Sequence, residues 1–388
     1  MDNKKHGYYR RVVFVIMTVF DDFKKHGTYD GESLLCTESF CFDKKVSRRD
    51  KGFVVVSDAK YKGRAPHISF SLTVDGQAEP LYVSHDYIIG GDGVCEFQKH
   101  RIAPIFLDSM TLTVRVEIPN GTQLFIKNFD FSDVPEVPYT ERKIRFNAHL
   151  GLWGMAPDNT LSAFRLAANA GFLHCIAVPK VTKDGVIVCI HDDTINRTAG
   201  NAPTEPVCVR DLTYNELMEF EYGSYKNEVF KGEKLPKLTE FFDICKETGM
   251  TPMFSTHPDL PVEKWQEVKA ETDKRGLTSA FHIKGFGADI LRNAFSVFGN
   301  VIDGYTLDSR RFDESLIKDI LSIGIDRKKC RIGIEIPFDR YTKEIADKIL
   351  AGNLFAAAYS IKKRSQEEYQ RLVSYGVTEF TEDLHCPC

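Results

Sequence analysis

The chain has no apolar run of about 20 residues, the length a helix needs to cross a bilayer. The run Val12–Phe20, which follows Arg10-Arg11, is too short, so no transmembrane segment is expected. A signal peptide would need a small-residue cleavage site next, and Asp21-Asp22-Phe23-Lys24-Lys25 supplies none. Val12–Phe20 therefore reads as a partly buried β-strand, and a cytoplasmic location is expected. A strong charge of either sign is also missing. Lys and Arg number 51 against 55 Asp and Glu, and a net charge of -4 gives no reason to expect nucleic acid or an anionic membrane as partner. The ten cysteines lack CxxC spacing, which points to reduced thiols rather than a disulfide framework or zinc site. Cys386 and Cys388 close the chain as Cys-Pro-Cys, read as a fraying tail.

Helical periodicity is nearly absent from residues 1–138. Short β segments separated by Gly/Asn/Asp turns occupy this stretch, among them Gly52–Ser57, His67–Val74, Leu112–Ile118 and Leu124–Phe129. Pro119-Asn120-Gly121 between the last two predicts a type I′ hairpin, because Asn-Gly accepts positive φ. A β-sandwich-like N-terminal domain is expected over 1–138. Tyr82, Tyr87 and Phe97 are candidates for a ligand face or for packing, and no site is assigned to them. Ser132–Pro138, with two prolines in four residues, reads as the linker.

From residue 141 strands and helices alternate. The predicted strands are Ile144–His149, His174–Val178, Met250–Thr256, Ala280–Lys284, Val301–Leu307, Arg331–Ile336, Phe355–Ile361 and Val377–Thr381. Amphipathic stretches between them include Thr160–Ala170, Thr239–Thr248, Glu263–Arg275, Asp313–Ser322, Lys343–Ala351 and Gln366–Ser374. Eight such units over 141–388 predict an α/β fold, a (β/α)8 TIM barrel. Val186–His191 lies too close to Val178 for a parallel crossover, so Asp184-Gly185 is expected to turn a hairpin that brings His191 back to the barrel rim.

The segment Ala148–Arg197 reads AHLGLWGMAPDNTLSAFRLAANAGFLHCIAVPKVTKDGVIVCIHDDTINRT. It closely resembles the opening of the glycerophosphodiester phosphodiesterase family, whose pattern runs His-Arg-Gly, Ala-Pro-Glu-Asn-Thr, Glu-x-Asp, Thr-Lys-Asp-Gly and His-Asp. His149, Gly151, Ala156–Thr160, Thr182–Gly185 and His191–Thr194 fit it. Leu212–Leu217, Leu235–Phe241, Ala358–Ile361 and Gly376–Asp383 resemble later family segments. The resemblance covers about 150–385 and implies a barrel of the PLC-like phosphodiesterase type. It also implies a phosphoric diester hydrolase of lipid metabolism, using Ca²⁺ or Mg²⁺ with His149 and His191 as general base and acid.

The departures from that pattern are concerted. Leu150 stands at the family Arg, and Ile176 and Val178 at the Glu-x-Asp pair that would bind the cation. Phe254 and Thr256 fall at a later Glu and Lys; a one-residue shift would put Ser255 and His257 there instead. A hard cation needs oxygen ligands, so no metal site and no cofactor are expected. Several other residues are weaker candidates. Lys180 would reach an anion or be solvated, and His257 would join His149 and His191 as a transition-metal site. Lys284, on one face with His282, would bind a ligand or pair with Glu335 inside the barrel. Asp192 and Asp193 read as loop braces. Two functions remain open. One is a pseudoenzyme that binds a small phosphodiester, another phosphate ester or a glycan, or serves as an interaction protein. The other is an active hydrolase or lyase that uses His149 and His191 by an altered, metal-independent mechanism.

Overall fold

The computed structural model describes residues 15–48, 53–84, 87–89, 101–102, 107–133, 144–257, 259–360, 362 and 364–382. Contacts within the chain divide it into two compact units, with the main division along the sequence after residue 136.

The first unit is β-rich. One antiparallel sheet runs in the order Thr28–Tyr29, Leu34–Cys36, Gln123–Asp133, Phe53–Lys62 and Arg101–Ile102, with Val15–Thr18 also paired to Gln123–Asp133. The other runs Phe40–Val46, Met110–Glu117 and His67–Val74, with Tyr87–Ile88 beside His67–Val74. Strict alternation along His67–Val74 and Met110–Glu117 buries one face of this sheet, as a pleat of period two requires. Phe70 of one sheet meets Phe131 of the other at 5.9 Å, and Phe23 stacks on Phe129 while taking the edges of Phe40 and Phe42.

The expected hairpin at Pro119–Gly121 does not form. Met110–Glu117 and Gln123–Asp133 belong to different sheets, and only Gly121 takes positive φ, so the turn carries the chain from one sheet to the other. The N-terminal strand ends at Thr18 rather than Phe20, because a helical turn begins at Phe20, and the expected start at Val12 lies outside the described residues. Tyr82 is buried in packing; Phe97, the Tyr87 side chain, Cys386 and Cys388 lie outside the described residues. The described cysteines are free thiols, and among the described residues no helix is long and apolar enough to cross a membrane.

The second unit is a closed parallel barrel: β1 Arg145–Ala148, β2 His174–Ala177, β3 Thr251–Thr256, β4 His282–Gly285, β5 Gly304–Asp308, β6 Arg331–Pro337, β7 Phe355–Ser360 and β8 Val377–Glu382. All eight fall within two residues of the expected strand starts or, for β5, three. The helices Leu161–Asn169, Leu238–Thr248, Val262–Arg275, Ser315–Leu321, Lys343–Ala351 and Gln366–Ser374 lie where the amphipathic stretches predict, and Ala288–Phe298 adds another. Local caps explain their starts. Thr160 accepts the Ala163 N–H, Ser365/Glu368 form a capping box, and Thr213/Glu216 form another at the short helix Tyr214–Leu217. Pro179–Val181 and Ile187–Cys189 pair antiparallel as the expected hairpin, closed by Gly185 at φ +83°.

The barrel interior carries an unusual amount of polar chemistry. Low in it, His174 Nδ1 meets Asn147 Oδ1 at 2.7 Å, and His282 bonds Asp303 at 3.0 Å and Thr306 at 2.8 Å. Arg331 bridges Asp303 and Glu379. Each of these buried groups has a partner, which offsets the cost of taking it from water.

Candidate functional site

The mouth begins at the end of β1. His149 donates its backbone N–H to the Glu382 carbonyl at 2.9 Å, which ties the first strand to the last. Leu150 and Gly151 then both take positive φ, +58° and +80°. Gly151 has no alternative there, since a Cβ would lie 2.6 Å from the Ala163 backbone carbon. Leu150 takes the left-handed conformation and is buried, so it adds an apolar wall beside His149.

The Ala-Pro-Asp-Asn-Thr run is a brace. Asn159 accepts the Val178 N–H at 3.0 Å and donates its own N–H to the Leu150 carbonyl at 2.9 Å. Asp158 accepts from the Tyr225 hydroxyl and from Arg197, whose guanidinium also forks onto Asp192. Asp192 in turn holds His191 Nδ1 at 2.7 Å. His191 first, then Arg197, hold the Asp192 carboxyl well below the usual carboxylate range. The hairpin delivers His191 opposite His149, with ring centroids 6.4 Å apart and planes near perpendicular. Trp153 stands at 6.1 Å from the His149 ring. Asp192 is thus a brace, as expected. Arg197, Asp158, Trp153 and Tyr225 were not singled out from sequence; the signal was that the first three lie inside Ala148–Arg197 itself.

Asp193 pairs with Lys180 at 2.5 Å, and Lys180 Nζ also donates to the His257 carbonyl at 2.7 Å. Lys180 is therefore not the solvated lysine that its hairpin position suggested. It is buried and fastens the hairpin to the end of β3. The His257 side chain is exposed and lies 5.8 Å from the Phe286 ring.

The register of β3 settles which residues face the interior. Phe254 packs on Phe242, Trp265 and Phe281, the aromatic layer between strands and helices, so it points outward. Alternation then turns Ser255 inward, and Ser255 is indeed the registered neighbour of the inward Lys284. Phe254 therefore faces the aromatic layer and not the barrel interior, and Ser255 is the residue of β3 that faces Lys284. Side-chain pattern alone left this open, because β3 is buried on both faces. On β2, His174 points inward to Asn147, so Ile176 follows it onto the inner face, and Val178, one residue past the end of the strand, is buried.

Across the mouth, Lys284 of β4 lies between Asp308 of β5, at 3.0 Å, and Glu335 of β6. All three are buried, and Glu335 also accepts from the Thr381 hydroxyl at 2.6 Å. The Lys284–Glu335 pair is the one expected; Asp308, at the end of its strand and on the face of Thr306, was missed. Burial pushes the Asp308 carboxyl up to about 6 although Lys284 opposes the shift. Burial also works against the Lys284 ammonium, but the two carboxylates outweigh it and hold its pKa above the usual lysine value.

These residues do not fit a divalent cation. Ile176 and Val178 offer no oxygen, Asp308 and Glu335 already share an ammonium, and among the described residues no group of three or more His, Cys, Asp or Glu is placed to hold a metal ion. That includes the trio His149, His191 and His257. The arrangement can hold an anion or a proton between two imidazoles, one of them oriented by a carboxylate.

Residues 149–290 match the model of the glycerophosphoryl diester phosphodiesterase family. The chain is 40% identical over 114 residues to the Bacillus subtilis protein YhdW, covering 29% of this chain and 44% of that protein. It is 35% identical over 97 residues to the glycerophosphodiester phosphodiesterase of Caldanaerobacter subterraneus subsp. tengcongensis, covering 25% and 38%. These matches span less than half the length of either relative. In fold, the chain is similar to an Oleispira antarctica phosphodiesterase solved with the product sn-glycerol-3-phosphate. The TM-score is 0.52 and the identity 18%, over 62% of this chain and 94% of that one.

Proposed function

The barrel belongs to the glycerophosphodiester phosphodiesterase family, and from that premise we propose that it binds a phosphate ester at its mouth but has lost metal-dependent hydrolysis. The observation that carries this reading is the inward, buried and apolar Ile176, with the buried and apolar Val178 just past the end of β2. Charge stabilisation by a metal supplies several kcal/mol in phosphoryl chemistry, and Ile176 and Val178 offer a metal no oxygen ligand. What survives is the imidazole pair. An ester phosphate of the kind named with the Oleispira phosphodiesterase, glycerol 3-phosphate, would lie between His149 and His191. Calorimetry tests both halves of the proposal. Saturable binding of glycerol 3-phosphate without bound Ca²⁺ or Mg²⁺ is expected, and a stoichiometric divalent ion at micromolar affinity would overturn the reading.

One observation favours a second reading, acid–base catalysis without a metal. Asp192 accepts from His191 Nδ1–H, which leaves Nε2 bare and oriented, an arrangement that binding alone does not need. Such catalysis contributes roughly 10²–10⁴-fold. It requires turnover of a glycerophosphodiester that survives EDTA and vanishes in His149→Ala and His191→Ala.

A further inference from the structure

The polar cluster at the ends of β4, β5 and β6 lies outside the His149–His191 pair and has no role in the proposed binding. Asp308 and Glu335 are registered neighbours on adjacent parallel strands, about 5 Å apart at their backbones. Both face inward and both are more than nine-tenths buried. Two carboxylates so placed repel and lose hydration, and neither cost is met by their surroundings unless a cation lies between them. That cation is supplied from the next strand. The Lys284 ammonium is 3.0 Å from Asp308 Oδ2, is paired with Glu335, and has the Tyr359 ring centroid 5.8 Å away. Asp308 Oδ1 is buried with no hydrogen-bond partner among the described residues, so the carboxylates offer more acceptor capacity there than Lys284 uses.

We infer that Asp308, Glu335 and Tyr359 form a cation site of the barrel interior, chemically suited to a primary ammonium and filled by the chain's own Lys284. The donor set decides between ammonium and metal. Ca²⁺ takes 6–8 oxygens and Mg²⁺ an octahedron of them, whereas this cage has two carboxylates, one of them shared with Thr381, and an aromatic face. A ring face attracts organic cations and gives a hard metal nothing. The barrel thus carries a covalently attached cation that chelators cannot remove. This rests on the reading that no divalent ion is held at the mouth.

Lys284→Ala removes the atoms of propylammonium and leaves a space of that shape. The full chain is melted with increasing propylammonium chloride, with n-propanol as the uncharged control and with CaCl₂ or MgCl₂ in parallel. The wild type is expected to be indifferent to all four and to EDTA. Lys284→Ala is expected to gain a saturable rise in Tm with propylammonium only, on the order of 5 °C at a hundredfold excess over Kd. No rise, or an equal rise with n-propanol, overturns the cation site. A larger rise with Ca²⁺ or Mg²⁺ overturns the ammonium assignment. Loss of wild-type stability in EDTA would instead sink the metal-free reading itself, so the two failures are distinguishable. If Lys284→Ala does not fold, Lys284→Met is compared with Lys284→Met/Asp308→Asn. Recovery of Tm in the double variant is expected, and its absence overturns the inference.

Discussion

Restoring oxygen ligands on the inner face of β2 and β3 should give this barrel a metal site, provided the register is right. The variant combines Leu150→Arg, Ile176→Glu, Val178→Asp and Ser255→Glu. Ile176 and Val178 are buried, so two carboxylates there cost several kcal/mol each while unpaired. Ser255 lies two residues beyond Met253, the registered neighbour of Ile176, which places it level with Val178 on the adjacent strand. Three carboxylates across roughly 5 Å of strand spacing supply up to about six oxygens, the lower bound for Ca²⁺. The apo variant should therefore melt well below wild type. Calcium at 100–1,000 times its Kd should return about 2.7–4.1 kcal/mol. For a barrel of this size that is a recovery of about 5–15 °C. Thermal melts with and without CaCl₂, reversed by EDTA, read this directly. A folded variant whose Tm ignores calcium would refute the placement of Ile176, Val178 and Ser255 around one site.

A control for the same register is Phe254→Glu, which drives a carboxylate into the aromatic layer of Phe242, Trp265 and Phe281. It should cost about 3–5 kcal/mol or prevent folding, whereas Ser255→Ala should cost about 1 kcal/mol or less in a chemical denaturation series. Arg197→Ala strips Asp158 and Asp192 of their shared guanidinium. Because Arg197 is 38% exposed, screening reduces the loss to about 1–2 kcal/mol, and Arg197→Lys should recover only part of it because an ammonium cannot fork onto both carboxylates. The Asp308 carboxyl titrates near 6 in the folded chain against an ordinary value of 3.8, so the folded state binds its proton more tightly. Its contribution to stability should fall as pH rises from about 4 to 6 and level off above. Wild type should thus lose Tm relative to Asp308→Asn across that window, and a difference independent of pH would contradict the shift.

Much of the barrel was legible along the chain. Period-two runs alternating with amphipathic stretches located its strands, and the short spacing between Val178 and Ile187 excluded a crossover, which left only the hairpin that sets His191 against His149. The N-terminal unit was less legible. Asn120-Gly121 marked a turn, but whether that turn joins neighbours in one sheet or passes between two depends on which strands lie beside Met110–Glu117.

The sequence by itself determined the eight strands of the barrel and the hairpin that carries His191, because each is a matter of local period and turn chemistry, and it determined that Ile176 and Val178 are apolar. Only the tertiary structure decided the rest. Alternation says that Phe254 and Thr256 share a face without saying which, and that choice is made by the aromatic side chains packed against Phe254. Lys180 is buried because His257 and Asp193 come to it from distant loops. Lys284, Asp308 and Glu335 are 24 and 27 residues apart along the chain, and only closure of the barrel makes them one charge cluster. Burial and pairing belong to the set of strands a residue faces, and no local pattern encodes that set.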